Sequence, residues 1–275
     1  MPTIDYNAEL NVVVAVRGHP FDRNALASMF EAMERIAFTF VDQPLAARIM
    51  DPDLLDGFDA LCLYDMPGID FSATEDRPRH VAPDPRIVAG FERLLEAGKG
   101  IVALHHALAG WPAWPEYAEA LGGRFLYKPG SLRGSGRPDS GYRHNVKYDA
   151  VVLDPAHPVM AGIPPRFAME DELYLAEVFE DSIVPLLRAD HNFVAENFHS
   201  TSAAMEGRMF TNEGWNHADG SDCIGWVKRA GNSPLVYLQP GDDHLTYDNP
   251  VYRRLVENAV RWVASPAAHA WARAG

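Results

Sequence analysis

Residues 100–111 read Gly-Ile-Val-Ala-Leu-His-His-Ala-Leu-Ala-Gly-Trp, and the fold turns on them. An apolar run entered from a glycine and closed by His105 and His106 suits a strand buried on both faces, as in a parallel sheet. Ligands of such sheets sit just beyond the carboxyl ends of the strands, so the two imidazoles mark a candidate site. Working outward, Leu10–Val16 and residues 36–41 and 58–63 read as further strands. A helix is predicted from a cap at Asn24 to about Arg35, and another from Asp84-Pro85 to Gly98. A third covers 114–121 and stops at Gly122-Gly123. Beyond it, strands are expected at 151–153, 173–178, 184–187, 205–210 and 235–238. A helix follows over 250–263, and 265–275 reads as a frayed tail. Strands alternating with helices give an α/β fold built on a doubly wound, mostly parallel sheet with inserted loops. One domain is expected over 1–275, with its core at about 10–264.

The chain has 275 residues and a formal net charge of −14, which argues against nucleic-acid or anionic-membrane partners. Two cysteines, Cys62 and Cys223, lie far apart in apolar surroundings. That excludes a disulfide framework and fits a reducing, cytoplasmic setting. No glycine-rich turn of nucleotide-binding spacing follows the first strand, so no nucleotide cofactor is expected. There is no Gly-x-Ser-x-Gly, and His105 stands where a cysteine or serine nucleophile would be needed.

Residues 124–147 reverse the charge balance, with Arg124, Lys128, Arg133, Arg137, Arg143 and Lys147 against the single acid Asp139. Two readings follow: a mobile flap over the strand ends that meets a polar ligand, with Lys128 a substrate contact, or a solvated insertion whose charges pair with the acidic body.

Three polar clusters sit at strand ends. His105-His106 can supply acid, base or metal-ligand chemistry near neutral pH. Side-chain alternation turns only one of the two into the cleft, and Trp111 behind them suits a sugar ring. In Asp171-Glu172-Leu173-Tyr174, strand periodicity puts Glu172 and Tyr174 on one face, a carboxylate beside a phenol. Gly241-Asp242-Asp243-His244 follows a late strand. The predicted catalytic set is His105, Glu172 and His244. His106, Trp111, Tyr174, Asp243 and Lys128 are the predicted substrate contacts. His105, Glu172 and His244 also offer the N/O donors of a divalent metal site.

The ordered motifs Gly100–His105, Tyr117 through Phe125, His157-Pro158 to Ile163, Asp171–Tyr174, and Gly241 through Asn249-Pro250 to Arg261-Trp262 resemble the trehalose-utilisation (ThuA-like) family. That resemblance implies the three-layer, flavodoxin-like version of the α/β fold shared with class I glutamine amidotransferases, without their cysteine. It also implies use of disaccharides or glycosides beside sugar oxidoreductases that make 3-keto sugars. The chain departs from the family where Lys128 precedes Pro129 in place of a His-Pro pair. A second departure is Asp242-Asp243 after Gly241, in place of His-Asp. The expected activity is carbohydrate catabolism by hydrolysis, elimination or isomerisation of a glycoside or its 3-keto form. The substrate is a small sugar, and a homo-oligomer is compatible with it. The alternatives are a non-catalytic sugar-binding or regulatory module, and metal-dependent hydrolysis of a non-sugar amide or ester.

Overall fold

The structure, a computed structural model, describes residues 6–274. Its first half runs β1 (Leu10–Val16), α1 (Arg23–Glu31), β2 (Ile36–Asp42), α2 (Leu45–Arg48), β3 (Ala60–Leu63), α3 (Pro85–Ala97), β4 (Gly100–Leu104) and α4 (Pro115–Leu121). Then come β5 (Gly141–Val152), β6 (Arg166–Leu175), β7 (Val184–Ala189), β8 (His199–Ser200) and α5 (Thr201–Met205). The chain ends with β9 (Cys223–Ala230), β10 (Ser233–Leu238), α6 (His244–Tyr247), α7 (Pro250–Val263) and α8 (Pro266–Arg273). One large sheet has the order β6-β5-β7-β9-β10-β4-β3-β1-β2, with β8 paired to β5. The strands β2-β1-β3-β4-β10 run parallel, in the 2-1-3-4-5 order of flavodoxin-type folds. An antiparallel wing, β9-β7-β5-β6, extends the sheet beyond β10.

The parallel strands are apolar throughout because both their faces are covered. In β1, Val12, Val14 and Val16 pack in one core with Leu26 and Phe30 of α1 and Leu255 and Val256 of α7. The alternate residues Val13 and Ala15 join Phe91 and Leu94 of α3 in the other. A Cβ at Gly100 would meet the Val263 carbonyl oxygen at 2.3 Å, so glycine lets the end of α7 close on the start of β4. Helix ends follow their capping chemistry. Asp84 caps α3 ahead of Pro85, and Gly98 closes it in the left-handed region at φ 88°. Asn249 accepts hydrogen bonds from the Val251 and Tyr252 amides ahead of Pro250.

Several expectations are corrected. Asp22, not Asn24, caps α1, accepting from the Asn24 and Ala25 amides. Residues 205–210 are not a strand: Ser200 caps α5, which ends at Met205. Met205 and Met209 line a cavity, and Met205 also packs against the core. The tail forms α8, with Ala268 and Ala272 buried and the Arg229 guanidinium over the Trp271 ring. The basic stretch is a short hairpin, 130–137, leading into β5. Its charges are used within the fold. Arg133 pairs with Glu119 and Asp181, Arg137 with Glu177, Lys147 with Glu170, and Lys128 with Asp76 at 2.5 Å. These are the ion pairs that the second of the two readings expects, and Lys128 takes part in one of them, with Asp76.

Just past β3, Asp65 is buried and accepts one hydrogen bond, from Gln43 Nε2 at 2.5 Å, while its Oδ1 has no partner. Burial raises its pKa from the ordinary 3.8 to about 6, against the Gln43 bond. The folded state thus holds this proton more tightly than the unfolded chain, and stability falls as pH rises from about 4 through 6. Asp65→Asn removes that dependence and still accepts from Gln43. The expected result is a gain of about 3 kcal/mol at pH 8 that shrinks towards zero near pH 4. Urea unfolding of both proteins at the two pH values checks this, and an equal difference at both would contradict it.

Candidate active site

Strands β1, β3, β4 and β10 end on one rim, and the segments leaving them supply His19, Tyr64, His105-His106 and Gly241-Asp242. The antiparallel wing returns over the same rim. Asp171 of β6 accepts hydrogen bonds from the Gly241 and Asp242 amides at 2.6 and 3.1 Å, and the Tyr174 amide donates to Gln239 Oε1 at 3.0 Å. Gly241 has φ 140°, and a Cβ there would lie 2.7 Å from the Tyr252 hydroxyl, so this turn requires glycine. Tyr64 donates to the Gly241 carbonyl at 2.9 Å and pins the turn from the other side. Burial lifts the pKa of Asp171 to about 7 against the nearby His105 and the amide bonds.

His105 opens a 3₁₀ turn straight after β4 with φ 37°, an unusual backbone for a side chain this large and one common at functional sites. It is fully buried. Nδ1 lies 2.5 Å from the Gln239 carbonyl oxygen, an acceptor only, so Nδ1 carries a proton in either charge state. Nε2 is left facing Glu172 Oε2 at 3.1 Å and the Tyr174 hydroxyl at 2.8 Å, with the Tyr174 ring stacked on the imidazole at 4.5 Å. Burial opposes the imidazolium. The hydrogen bond to Glu172 and the charges of Asp242, Glu172 and Asp171 outweigh it and raise the pKa to about 9. His105 and Glu172 thus form a buried, proton-sharing pair.

Sequence reasoning brought His105, Glu172 and Tyr174 together, and the structure does too. It also places His106 Nε2 3.7 Å from Asp242 Oδ1, the same distance as His105 Nε2. Both imidazoles therefore face this carboxylate, contrary to strand alternation, because the chain turns into the 3₁₀ helix at His105. Burial, with His105, His19 and His144 nearby, keeps His106 far below its ordinary pKa. The remaining predicted residues lie elsewhere. His244 is exposed on the first residue of α6, and Asp243 caps that helix by accepting from the Leu245 amide. Trp111 is buried against Trp114 and borders a different depression, beside Arg17 and Pro44. The metal candidate set of His105, Glu172 and His244 is accordingly assembled only in part: Asp242 stands in the place of His244, with ligand atoms of His105, Glu172 and Asp242 all within 4.8 Å of one another.

Three members escaped the sequence reading. Asp242 takes the place assigned to Asp243 and His244, because the chain enters α6 two residues after it. The pull of burial on Asp242 is overcome by His144, His105 and His19, which hold its carboxyl below the ordinary value. His19 follows β1 on the same rim, a position that the strand-end rule marks. His144 comes from a bulge in β5, where His144 and Asn145 lie opposite the single residue Glu172. The bulge, with Asn145 at φ 54°, aims the imidazole at Glu172 Oε1, 3.2 Å away. His144 is held above its ordinary pKa by the carboxylate of Asp242, with Glu172 adding to it.

These groups open into a cavity of about 190 Å³ lined by Glu172, Tyr174, His144 and His19 at its polar end. Phe71, Phe125, Tyr127 and Tyr142 supply aromatic walls, the role expected of Trp111. Glu172 is the sole carboxylate lining it among the described residues.

The fold has solved counterparts. A ThuA-like protein of Parabacteroides merdae superposes with a TM-score of 0.65 at 15% identity, over 93% of this chain and 90% of that one. A second, from Bacteroides uniformis, gives 0.57 at 15% identity over 95% and 94%. A cytoplasmic protein of Salmonella typhimurium gives 0.55 at 11% identity over 92% and 98%. No curated protein sequence matches the chain. Among the described residues, no helix is long and apolar enough to cross a membrane. The ThuA family, described as trehalose utilisation, matches residues 12–263, which points to a role in sugar metabolism; the chain belongs to the ThuA family.

Proposed function

We propose that the protein cleaves a 3-keto glycoside by moving a proton on the ring carbon beside the ketone. The observation that carries this reading is Glu172, hydrogen-bonded to the buried His105, standing as the sole carboxylate among the described residues that line a small aromatic cavity. Hydrolysis of an ordinary glycoside needs two carboxyl groups about 5–9.5 Å apart across the scissile bond. Glu172 and Asp242 flank one imidazole with ligand oxygens within 4.8 Å of each other, closer than that spacing, and a carboxylate beside an imidazole suits acid/base chemistry next to a carbonyl instead. The cavity volume fits about one sugar ring.

In this scheme Glu172 removes the proton from C2, and the C–H electron pair passes into the enolate of the C3 ketone. The enolate then expels the glycosidic oxygen from C1, forming the C1–C2 double bond. The departing oxygen takes a proton from the Tyr174 hydroxyl, which lines the cavity and is reprotonated by His105 Nε2, 2.8 Å away. Tyr174 holds the imidazole by stacking and by its hydroxyl, and Gln239 fixes which nitrogen carries the mobile proton. The products are an alcohol or free sugar and an unsaturated keto sugar, and the enzyme resets when Glu172 returns its proton to His105. A sugar oxidoreductase is the class of partner that would supply the substrate.

Incubation with 3-keto-trehalose and with trehalose, followed by product NMR, tests the reading. Consumption of the keto sugar alone is expected. Tight binding without product, or equal cleavage of both sugars, would overturn it.

A further inference from the structure

Four imidazoles surround the Asp242 carboxylate, and they fall into two unlike groups. His105 and His144 meet Glu172 directly, at 3.1 and 3.2 Å, so their polar atoms are satisfied by a proton-sharing carboxylate. His106 is different. It is 1% exposed, and neither of its ring nitrogens has a hydrogen-bond partner. Unpaired buried polar atoms are costly and rare. Its Nε2 faces Asp242 Oδ1 at 3.7 Å, beyond hydrogen-bond length. That is the spacing of two donors each about 2.0–2.2 Å from a common ion. The third member is His19, whose ring centroid lies 4.1 Å from that of His106. Its Nδ1 donates to the Pro20 carbonyl at 2.8 Å, which leaves Nε2 bare. Ligand atoms of His19, His106 and Asp242 all lie within 4.8 Å of one another.

We infer that His19, His106 and Asp242 bind a divalent first-row transition-metal ion beside the His105–Glu172 pair, with which they share the Asp242 carboxylate. Two imidazoles and one carboxylate leave coordination positions open, as catalytic zinc sites do. His19 also lines the cavity that holds Glu172, so the open positions face the same space. Resting on the function proposed above, the ion would polarise the substrate ketone while Glu172 takes the proton beside it.

Titration of the metal-stripped protein with Co²⁺, read by its visible d–d absorption without any sugar, tests the site. One equivalent is expected to bind, and Zn²⁺ to displace it. His19→Ala, a change at the cavity rim, is expected to weaken Co²⁺ binding at least about a hundredfold with an unchanged circular dichroism spectrum. Glu172→Gln is expected to bind Co²⁺ as the parent does. Absence of binding, or loss of binding in Glu172→Gln with retention in His19→Ala, would overturn the assignment. Because no sugar is present, neither result depends on the proposed reaction.

Discussion

Glu172→Gln is expected to lower kcat on a 3-keto disaccharide by about 10²–10⁴-fold, the range that a positioned acid/base contributes. KM should stay within about threefold, because the amide fills the same volume and the aromatic walls of the cavity are untouched. The protein should still fold. Glu172 is what chiefly sustains the imidazolium of His105 against burial. Without that charge burial favours the neutral imidazole, against the remaining pull of Asp242 and Asp171, and its Nε2 is placed to accept from the Tyr174 hydroxyl 2.8 Å away. Asp242 stays 3.7 Å from His105 Nε2 as a counter-charge in either case, so circular dichroism and cooperative unfolding should persist. A variant with parental kcat would remove Glu172 from the chemistry. A variant whose KM alone rises would make it a binding group.

Arg124→Ala should cost far more stability than the loss of any other base in residues 124–147. Arg124 is 2% exposed and has no carboxylate partner among the described residues; it donates to the carbonyls of Gly110, Trp111 and Trp114 at 3.3, 2.8 and 2.6 Å. Burial lowers its pKa to about 10, offset in part by the nearby tyrosines. Those three carbonyls belong to the segment that carries the chain from His105 into α4. Truncation takes the guanidinium from all three, with only the Trp111 carbonyl known to keep another donor, the Trp114 amide, and leaves a void, a loss of roughly 3–6 kcal/mol. Arg124→Lys should fall between, since a single ammonium cannot reproduce the planar fork. Arg133→Ala is the control: its bonds to Glu119 and Asp181 lie at the surface, where such pairs contribute about 0–1 kcal/mol. Urea unfolding of the four proteins measures the difference, and equal losses for Arg124→Ala and Arg133→Ala would contradict the structural role.

The parts of the fold that could be read from sequence are those whose physics is local. β1 and β4 announce themselves as apolar runs because helices cover both their faces. α3 and α7 carry a side-chain cap, a first-turn proline and regular apolar spacing. β9 was missed because Lys228 and Arg229 interrupt its pattern. Lys228 is nonetheless buried along its stem, with its ammonium on the Ser182 carbonyl at 3.0 Å. The site divides in the same way. His105 follows from the strand-end rule, and Glu172 with Tyr174 from strand alternation. Asp242 was displaced to its neighbours Asp243 and His244 because the length of the turn after Gly241 is set by Asp171, seventy residues away. His144 depends on a bulge that inserts one residue opposite Glu172, and that insertion leaves no trace in the pattern of apolar residues.

The most direct measurement is proton exchange at the carbon beside the ketone. A 3-keto disaccharide, or a 3-keto glycoside with a poor leaving group, would be held in D₂O with the enzyme and followed by ¹H NMR. Enzyme-dependent loss of the C2 proton signal, abolished in Glu172→Gln, is the result predicted from a carboxylate poised over that carbon. Unchanged C2 signal with the parent enzyme, or exchange at the parental rate in Glu172→Gln, would contradict it.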